Sequence, residues 1–375
     1  MLKIVRKIKK NIFDCHDPIP NDMELFSNDL NKISQIHIDD YQRSYYQYML
    51  REKYGDCKSK YFRKFVYYTI GHLFYFYLIV KSKRKLNVEE QTVVYYKISN
   101  NRDIIPPEFK TAFVVNMGKN FYFDYNAKII FKKIKKLSLG DWTYLFEALY
   151  SLSNYAYILN KHKPKRIITT YESSCSSSVL TLLCNMSNVE HIDFMHGEKL
   201  YSHLNTLAHF NKIYVWDEYY IDLYNRLQFK YDDIIVLNPW INKEKSDLSI
   251  EKDICFYLNY ETQNSLNEFS KIINKLTLRG INVMIRPHPS QYEDIIKMNI
   301  IDRKLIENPF SVSIFDSINQ TEKIVSRFST VLYQAYSMNK EVVIDDVTNI
   351  EQYSQLKDAG YIMIQKKHML LSEIL

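Results

Sequence analysis

The chain has 375 residues, 46% of them hydrophobic and 25% charged, with a formal net charge of +7. That balance is the one found in globular proteins with a sizeable core and excludes a disulfide-framework miniprotein; the length leaves room for two domains of ordinary size. The charge is modest, no basic stripe is interleaved with aromatics and no nucleic-acid motif is present, so nucleic acid is not an expected partner.

The amino terminus is basic, with Arg6, Lys7, Lys9 and Lys10 among apolar residues. No apolar run with a small-residue cleavage site follows it, so no secretory signal is expected. A second basic block is Lys132-Lys133-Ile134-Lys135-Lys136. Each block reads either as a solvated helix face or as contact with a membrane surface or an anionic small substrate. Residues 1–85 read as helical and irregular. Within them Phe65 to Val80 is the longest uncharged run, flanked by Lys64 and by Lys81, Lys83, Arg84 and Lys85. It is shorter than the ~20 apolar residues a membrane span needs. With His72 and several tyrosines inside it, the run is expected as a buried or an interfacial helix.

Strand and helix begin to alternate near Gln91. Thr92 to Ile98 and Thr111 to Val115 read as strands, and Trp142 to Leu159 has helical apolar spacing. Arg166 to Tyr171 is a short β-branched run that opens into Glu172, a serine-rich turn and an apolar helix to about Met186. His191 to Met195, Lys212 to Trp216 and Ile234 to Leu237 follow as strands. A boundary is expected near Asn238-Pro239-Trp240. Beyond it, strands are expected at Ile254 to Leu258, Ile281 to Ile285, Glu322 to Val325 and Glu341 to Ile344. Helices are expected over Glu268 to Leu278, stopped by Gly280, and over Thr330 to Met338. The rhythm predicts an α/β protein with parallel, doubly wound sheets. Its parts are a helical amino-terminal segment over 1–90, a Rossmann-like domain over 91–240, a second over 250–350 and a helical tail over 351–375.

Cys15, Cys57, Cys175, Cys184 and Cys255 show neither paired metal spacing nor a disulfide framework, which fits a reducing cytoplasm. There is no Asp-x-Asp, and the pairs Asp39-Asp40, Asp232-Asp233 and Asp345-Asp346 lack the spacing that clamps a divalent ion, so no metal is expected. His203 and His209 form no helical zinc pair, and neither a Gly-x-Gly-x-x-Gly nor a Walker segment occurs, which argues against dehydrogenase and P-loop chemistry.

Two histidine segments about ninety residues apart carry the chemistry, Phe194-Met195-His196-Gly197-Glu198 and Arg286-Pro287-His288-Pro289-Ser290. Each follows an apolar strand, and ligands of open α/β sheets gather at carboxyl ends of strands. With only seven glycines in the chain, Gly197 is expected to have a backbone reason such as a positive φ or close approach to a ligand. His288 can donate to a phosphate oxygen and Arg286 can add permanent charge. Ser329 and Thr330 stand at a predicted helix amino terminus, which favours anions, with Ser326 and Arg327 just before them; Ser329 reads equally as an N-cap. Asp345 and Asp346 end a strand, as a ribose contact or as a turn.

From roughly residue 165 to 346, the order of strand, Arg-Pro-His-Pro, strand, Ser326-Arg327-Phe328-Ser329-Thr330, helix with Gln334-Ala335, and strand Val342 to Asp345 resembles bacterial glycosyltransferases of the GT-B fold, which have two facing Rossmann-like domains. It is most similar to enzymes of capsule and lipooligosaccharide synthesis with an HP and an SS or ST motif, including sialyltransferases and polysialyltransferases. Glycerol- and ribitol-phosphate polymerases of teichoic acid synthesis share a His-Gly and a later His-Pro segment. The resemblance implies a metal-independent, inverting glycosyltransferase with no cofactor beyond its nucleotide-sugar co-substrate. It implies sialic acid or a related acidic sugar from a CMP donor, an oligosaccharide or lipid-linked glycan as acceptor, and a cytoplasmic enzyme peripheral at the inner face of the cell membrane. It assigns the phosphate of the leaving nucleotide to His288, Ser329 and Thr330, with Ser326. The family's base lies in an acidic-acidic-Gly segment, where this chain has His196-Gly197-Glu198. The residues themselves leave Glu172, His196 and Glu198 as candidates for the base. A polyol-phosphate transferase using a cytidine diphosphate donor and a non-catalytic glycan- or nucleotide-binding module stay open as alternatives.

Overall fold

The computed structural model describes residues 19–20, 22–55, 60–82, 85–97, 104–116, 118, 120–241 and 249–375, with backbone alone for 60–63 and 97. The basic segment Lys3 to Lys10, Cys15 and Cys57 lie outside these residues. The chain divides into two compact units, Met1–Leu237 and Asn238–Leu375.

The first unit opens with helices α1 (Met23–Ser34), α2 (Asp40–Tyr54) and α3 (Lys60–Lys81). Asp22 caps α1 by accepting from the Leu25 amide, and Asp39 and Gln42 form a reciprocal capping box at α2. There follow β1 (Val93–Lys97), β2 (Phe113–Asn116), α4 (Tyr125–Leu137), α5 (Trp142–His162), β3 (Arg166–Thr169), α6 (Ser177–Asn185), β4 (Glu190–Phe194), β5 (His209–Val215), α7 (Tyr219–Arg226) and β6 (Lys230–Val236). All neighbours in the order β2-β1-β3-β4-β5-β6 are parallel. The chain steps from β1 outward to β2 and resumes on the other side as β3, so the switch point lies between β1 and β3.

The helices before β1 belong to this unit. Ser44 Oγ donates to the Cys175 carbonyl at 2.5 Å and lies 2.7 Å from Tyr144 Oη, and Asp40 Oδ1 meets His209 Nδ1 at 2.8 Å. The expectation of a buried helix over Phe65 to Val80 holds for one face only. Leu78 is buried, and Gly71 lies so close to the Trp142 indole that a Cβ there would come within 2.6 Å of Cε3. Phe65, Tyr68, Leu73, Phe76, Tyr77 and Val80 are exposed. Among the described residues no helix is long and apolar enough to cross a membrane. The second basic block lies on α4, which buries Ala127, Ile130, Phe131 and Ile134 and leaves Lys132, Lys133, Lys135 and Lys136 in solvent.

The second unit runs β7 (Lys252–Tyr257), α8 (Gln263–Leu278), β8 (Val283–Arg286), α9 (Tyr292–Met298), α10 (Ile314–Asn319), β9 (Thr321–Ser326), α11 (Thr330–Ser337), β10 (Glu341–Ile344), α12 (Ile350–Asp358), α13 (Ile362–Gln365), β11 (Met369–Leu370) and α14 (Leu371–Ile374). Its strands are again all parallel, in the order β11-β10-β9-β7-β8, which puts the reversal between β7 and β9. Gly280 ends α8 with φ +80°. The tail is not wholly helical: β11 joins the sheet edge, held where Asp346 accepts from the Ser372 amide at 3.0 Å and hydroxyl at 2.7 Å. Two parallel α/β units are the class expected from the strand and helix rhythm.

Candidate active site

In the first unit the residues after β3 and after β4 meet. The Tyr171 amide donates to Asp193 Oδ1 at 3.0 Å, which ties the turn after β3 to β4. Glu172 follows and is fully buried. Its Oε2 lies 2.8 Å from His196 Nδ1, its Oε1 accepts from the His196 amide at 3.2 Å, and Lys199 Nζ stands 3.4 Å from Oε1. Burial alone would push the Glu172 carboxyl up, but the Lys199 ammonium and then His196 outweigh it and hold it well below the usual carboxylate range. Asp193 goes the other way: burial and the neighbouring Glu172 charge hold it protonated, and its Oδ2 has no hydrogen-bond partner among the described residues. Two buried carboxyls in one place have been driven apart, with the charge left on the one that faces His196.

His196 is only partly buried, its side chain about one-third exposed (32%). An ionised carboxylate accepts only, so the proton of the shared bond sits on Nδ1, and in the neutral form of the ring the lone pair is therefore the one on Nε2. Gly197 is not among the glycines at positive φ, which are Gly118, Gly140, Gly280 and Gly360, so of the two backbone reasons expected for it a positive φ is absent. Glu198 accepts from the Tyr220 hydroxyl through Oε2. Burial pushes its carboxyl up to about 8, although Tyr220 and Lys199 pull it back.

That shift has a testable sign. Below the ordinary value of 4.5 the carboxyl is protonated folded or unfolded; between there and about 8 only the folded chain keeps the proton, so stability falls as pH rises through that window. Glu198→Gln is expected to match wild type near pH 4.5 and to exceed it at pH 8.5 by on the order of 1–3 kcal/mol in urea unfolding. Parallel stability curves for the two proteins would sink this assignment.

Not every histidine at these strands is of this kind. His191 on β4 is buried between Tyr155 Oη at 2.9 Å and Thr181 Oγ1 at 2.7 Å, and burial takes its ring down to about 3. It is a satisfied core histidine.

In the second unit, the loops after β7, β8 and β9 converge on the switch point. Ser326 Oγ donates to the Tyr257 carbonyl at 2.7 Å and is buried, and Asn259 Nδ2 donates to the Phe328 carbonyl. His288 stands exposed after β8, its ring 5.3 Å from that of Tyr260. Its Nδ1 accepts from the Ser290 amide at 3.3 Å and lies 2.6 Å from Ser290 Oγ. An amide can only donate, so Nδ1 is the acceptor and the neutral ring carries its proton on Nε2, away from this turn. Partial desolvation of the ring by its neighbours lowers the His288 pKa, which favours that neutral form.

Ser329 caps α11, its Oγ accepting from the Val331 amide at 3.2 Å, and its carbonyl accepts from Tyr361 Oη at 3.3 Å. Thr330 is the first residue of the helix. Two expected cations turn inward. Arg286 is buried and pairs with Glu307, while its Nη2 donates to the Val312 carbonyl at 2.9 Å. Arg327 pairs with Glu261 and lies over the Phe269 ring. Asp345 is a turn residue, accepting from the Val347 amide at 3.0 Å and the Thr348 amide at 2.9 Å. Among the described residues no group of three or more His, Cys, Asp and Glu side chains could hold a metal ion.

Sequence reasoning missed Asp193, Lys199 and Tyr220 in the first unit and Asn259, Glu261 and Glu307 in the second. One signal was readable: Asp193 is an acid in the middle of the apolar run His191 to Met195.

No protein-family model matches the chain, and no curated protein matches it. Among solved structures it is similar to UDP-GlcNAc 2-epimerase of Methanocaldococcus jannaschii in complex with UDP-GlcNAc and UDP, at 12% identity and TM-score 0.44 over 76% of this chain and 89% of that one. It is also similar to the wall teichoic acid polymerase TagF, at 9% identity and TM-score 0.46 over 76% and 77% of the two chains. A third is the ADP-heptose lipopolysaccharide heptosyltransferase II of E. coli, at 12% identity and TM-score 0.32 over 69% and 84%. At such identities and scores the likeness extends to no residue and no activity, and the chemistry has to come from the strand ends themselves.

Proposed function

We propose that this chain is a glycosyltransferase that moves a sugar from a nucleotide donor to a glycan hydroxyl, with His196 as general base. The observation that carries the reading is the buried, ionised Glu172 bonded to Nδ1 of a one-third-exposed imidazole at a strand's carboxyl end. A carboxylate in that place fixes the tautomer and stabilises the imidazolium that forms when Nε2 takes a proton. The acceptor hydroxyl gives its proton to Nε2, its oxygen bonds to the anomeric carbon, and the bond from that carbon to the nucleotide phosphate breaks with inversion. Glu172 is too deeply buried to reach an acceptor and acts as the positioning residue. Glu198, held protonated, is a hydrogen-bond donor beside it.

The leaving phosphate gains negative charge, and donors already in place lower that cost. His288 offers Nε2–H, and the amino terminus of α11, which Ser329 caps and Thr330 opens, adds the positive end of its helix dipole. In this reading Arg286, Ser326 and Arg327 hold the loops rather than touch the nucleotide. A CMP-linked acidic sugar as donor and an oligosaccharide or lipid-linked acceptor are its finer form.

The test is calorimetry of CMP, CDP, UDP, GDP and ADP on wild type and His288→Ala, without added metal. One nucleotide is expected to bind, and His288→Ala to weaken it about 10- to 100-fold, the worth of one hydrogen bond to a charged group. CMP would favour the acidic-sugar donor, whereas CDP with a phosphodiester product would favour the polyol-phosphate alternative. Binding without turnover on any acceptor would leave a nucleotide-binding module, and no binding at all would overturn the phosphate site.

A further inference from the structure

The exposed face of α3 is a feature that the proposed chemistry leaves unused. Phe65 is 69% exposed, Phe76 68%, Leu73 65%, Tyr68 58% and Val80 54%. At 3.6 residues per turn these positions, with Thr69, His72 and Ile79, fall on one side of the helix, opposite Gly71, Phe74 and Leu78, which pack inward. A 22-residue helix thus lays an apolar stripe along the surface over about 33 Å.

Its charge surroundings are one-sided. From residue 57 to residue 88 the sequence has eight Lys and Arg and no Asp or Glu, whereas the whole chain has 50 and 43. The chain outside this segment is therefore almost neutral, and the net positive charge resides here. The neighbouring α4 adds to it. Tyr75 of α3 stacks on Phe131 of α4 at 5.2 Å, and Trp142 lies between the His72 ring at 3.9 Å and Lys135 Nζ at 5.7 Å. Lys135 of α4 thus stands beside the apolar stripe.

We propose that α3 docks this protein on an anionic lipid bilayer, lying in the plane of the headgroups with Phe65, Leu73, Phe76 and Val80 in the acyl boundary. Apolar burial and attraction of basic residues to anionic lipid act together in such helices, and aromatic rings favour the interface. A second copy of the chain fits the stripe less well: a two-fold contact through α3 would bring together two copies of a segment whose sequence has eight Lys and Arg and no acid of its own. The proposal does not depend on the transferase reading.

The test is flotation of the full chain with vesicles of phosphatidylcholine alone and with about one-third phosphatidylglycerol, alongside Phe65→Ser/Phe76→Ser, with light scattering for mass. Both substitutions are at exposed positions, and circular dichroism and thermal unfolding of the double variant check that it folds as wild type does. Expected are binding to the anionic vesicles, weakening as salt rises, and a loss of about tenfold or more in the double variant. Retention of binding by the folded double variant would move the contact to another surface and overturn the proposal. So would a wild type that floats with neither vesicle, or a dimer that the double variant converts to monomer, which makes a second copy the occupant.

Discussion

Replacing His196 with Ala is expected to lower kcat by about 10²–10⁴-fold, the usual contribution of a positioned general base, while nucleotide affinity and KM stay close to wild type. The side chain sits at the end of β4 and is one-third exposed, so its removal opens no core cavity. Glu172→Gln is expected to give a loss of similar size for a different reason. The amide can donate where the carboxylate only accepts, which permits the tautomer with its proton on Nε2 and removes the base. It also takes the carboxylate away from Lys199, 3.4 Å distant, so stability falls as well. The split between kcat and KM separates the two effects. A positioning role leaves KM nearly unchanged in the fraction that folds, whereas general damage to the strand ends moves both. If His196→Ala retained wild-type kcat on a transferable donor, the base assignment would be wrong.

Glu307→Ala is expected to cost about 3–5 kcal/mol of stability, the typical price of breaking a buried ion pair from one side. Glu307 is buried after β8, its amide donating to the Ile285 carbonyl at 2.8 Å, and its two oxygens face Lys252 and Arg286. One carboxylate serves two buried cations, so its loss leaves both uncompensated. Burial would raise the Glu307 carboxyl, but its bonds to Lys252, Ser317 and Arg286 hold it below the ordinary range. Denaturant unfolding should show a lower midpoint with an unchanged slope. Arg286→Met should cost less, since Lys252 remains to answer the carboxylate. The double variant should fall short of the sum of the two losses, because the residues share one network. A loss below about 1 kcal/mol for Glu307→Ala would mean that water reaches the cluster and that Arg286 is free for other work.

Much of this was legible in the sequence. The strands at Val283–Arg286 and Glu341–Ile344 show as apolar runs because a parallel strand covered on both faces has no polar side to display. The histidine segments could be placed because a Pro or Gly follows each strand end, where the run breaks. The standing of Arg286 could not be read. Its partner Glu307 is 21 residues away in a segment without periodicity, and an arginine beside a histidine at a strand end looks the same whether it turns outward or inward. The open face of α3 was hidden for a related reason. Phe65 to Val80 is apolar all round, so its period does not say which side finds a neighbour.

The order of strands and helices, the two-unit α/β class and the standing of His196 and His288 after their strands are properties of the sequence by itself, because run length, period and turn residues are local. Which carboxyl carries charge was decided only by the tertiary structure. Glu172 is ionised because Lys199 and His196 are brought to it from the next strand's end, and Asp193 is neutral because it is buried beside a Glu172 that already carries the charge. Protonation depends on distances between residues far apart in the chain and on the water excluded from between them, and neither exists until the strands have paired.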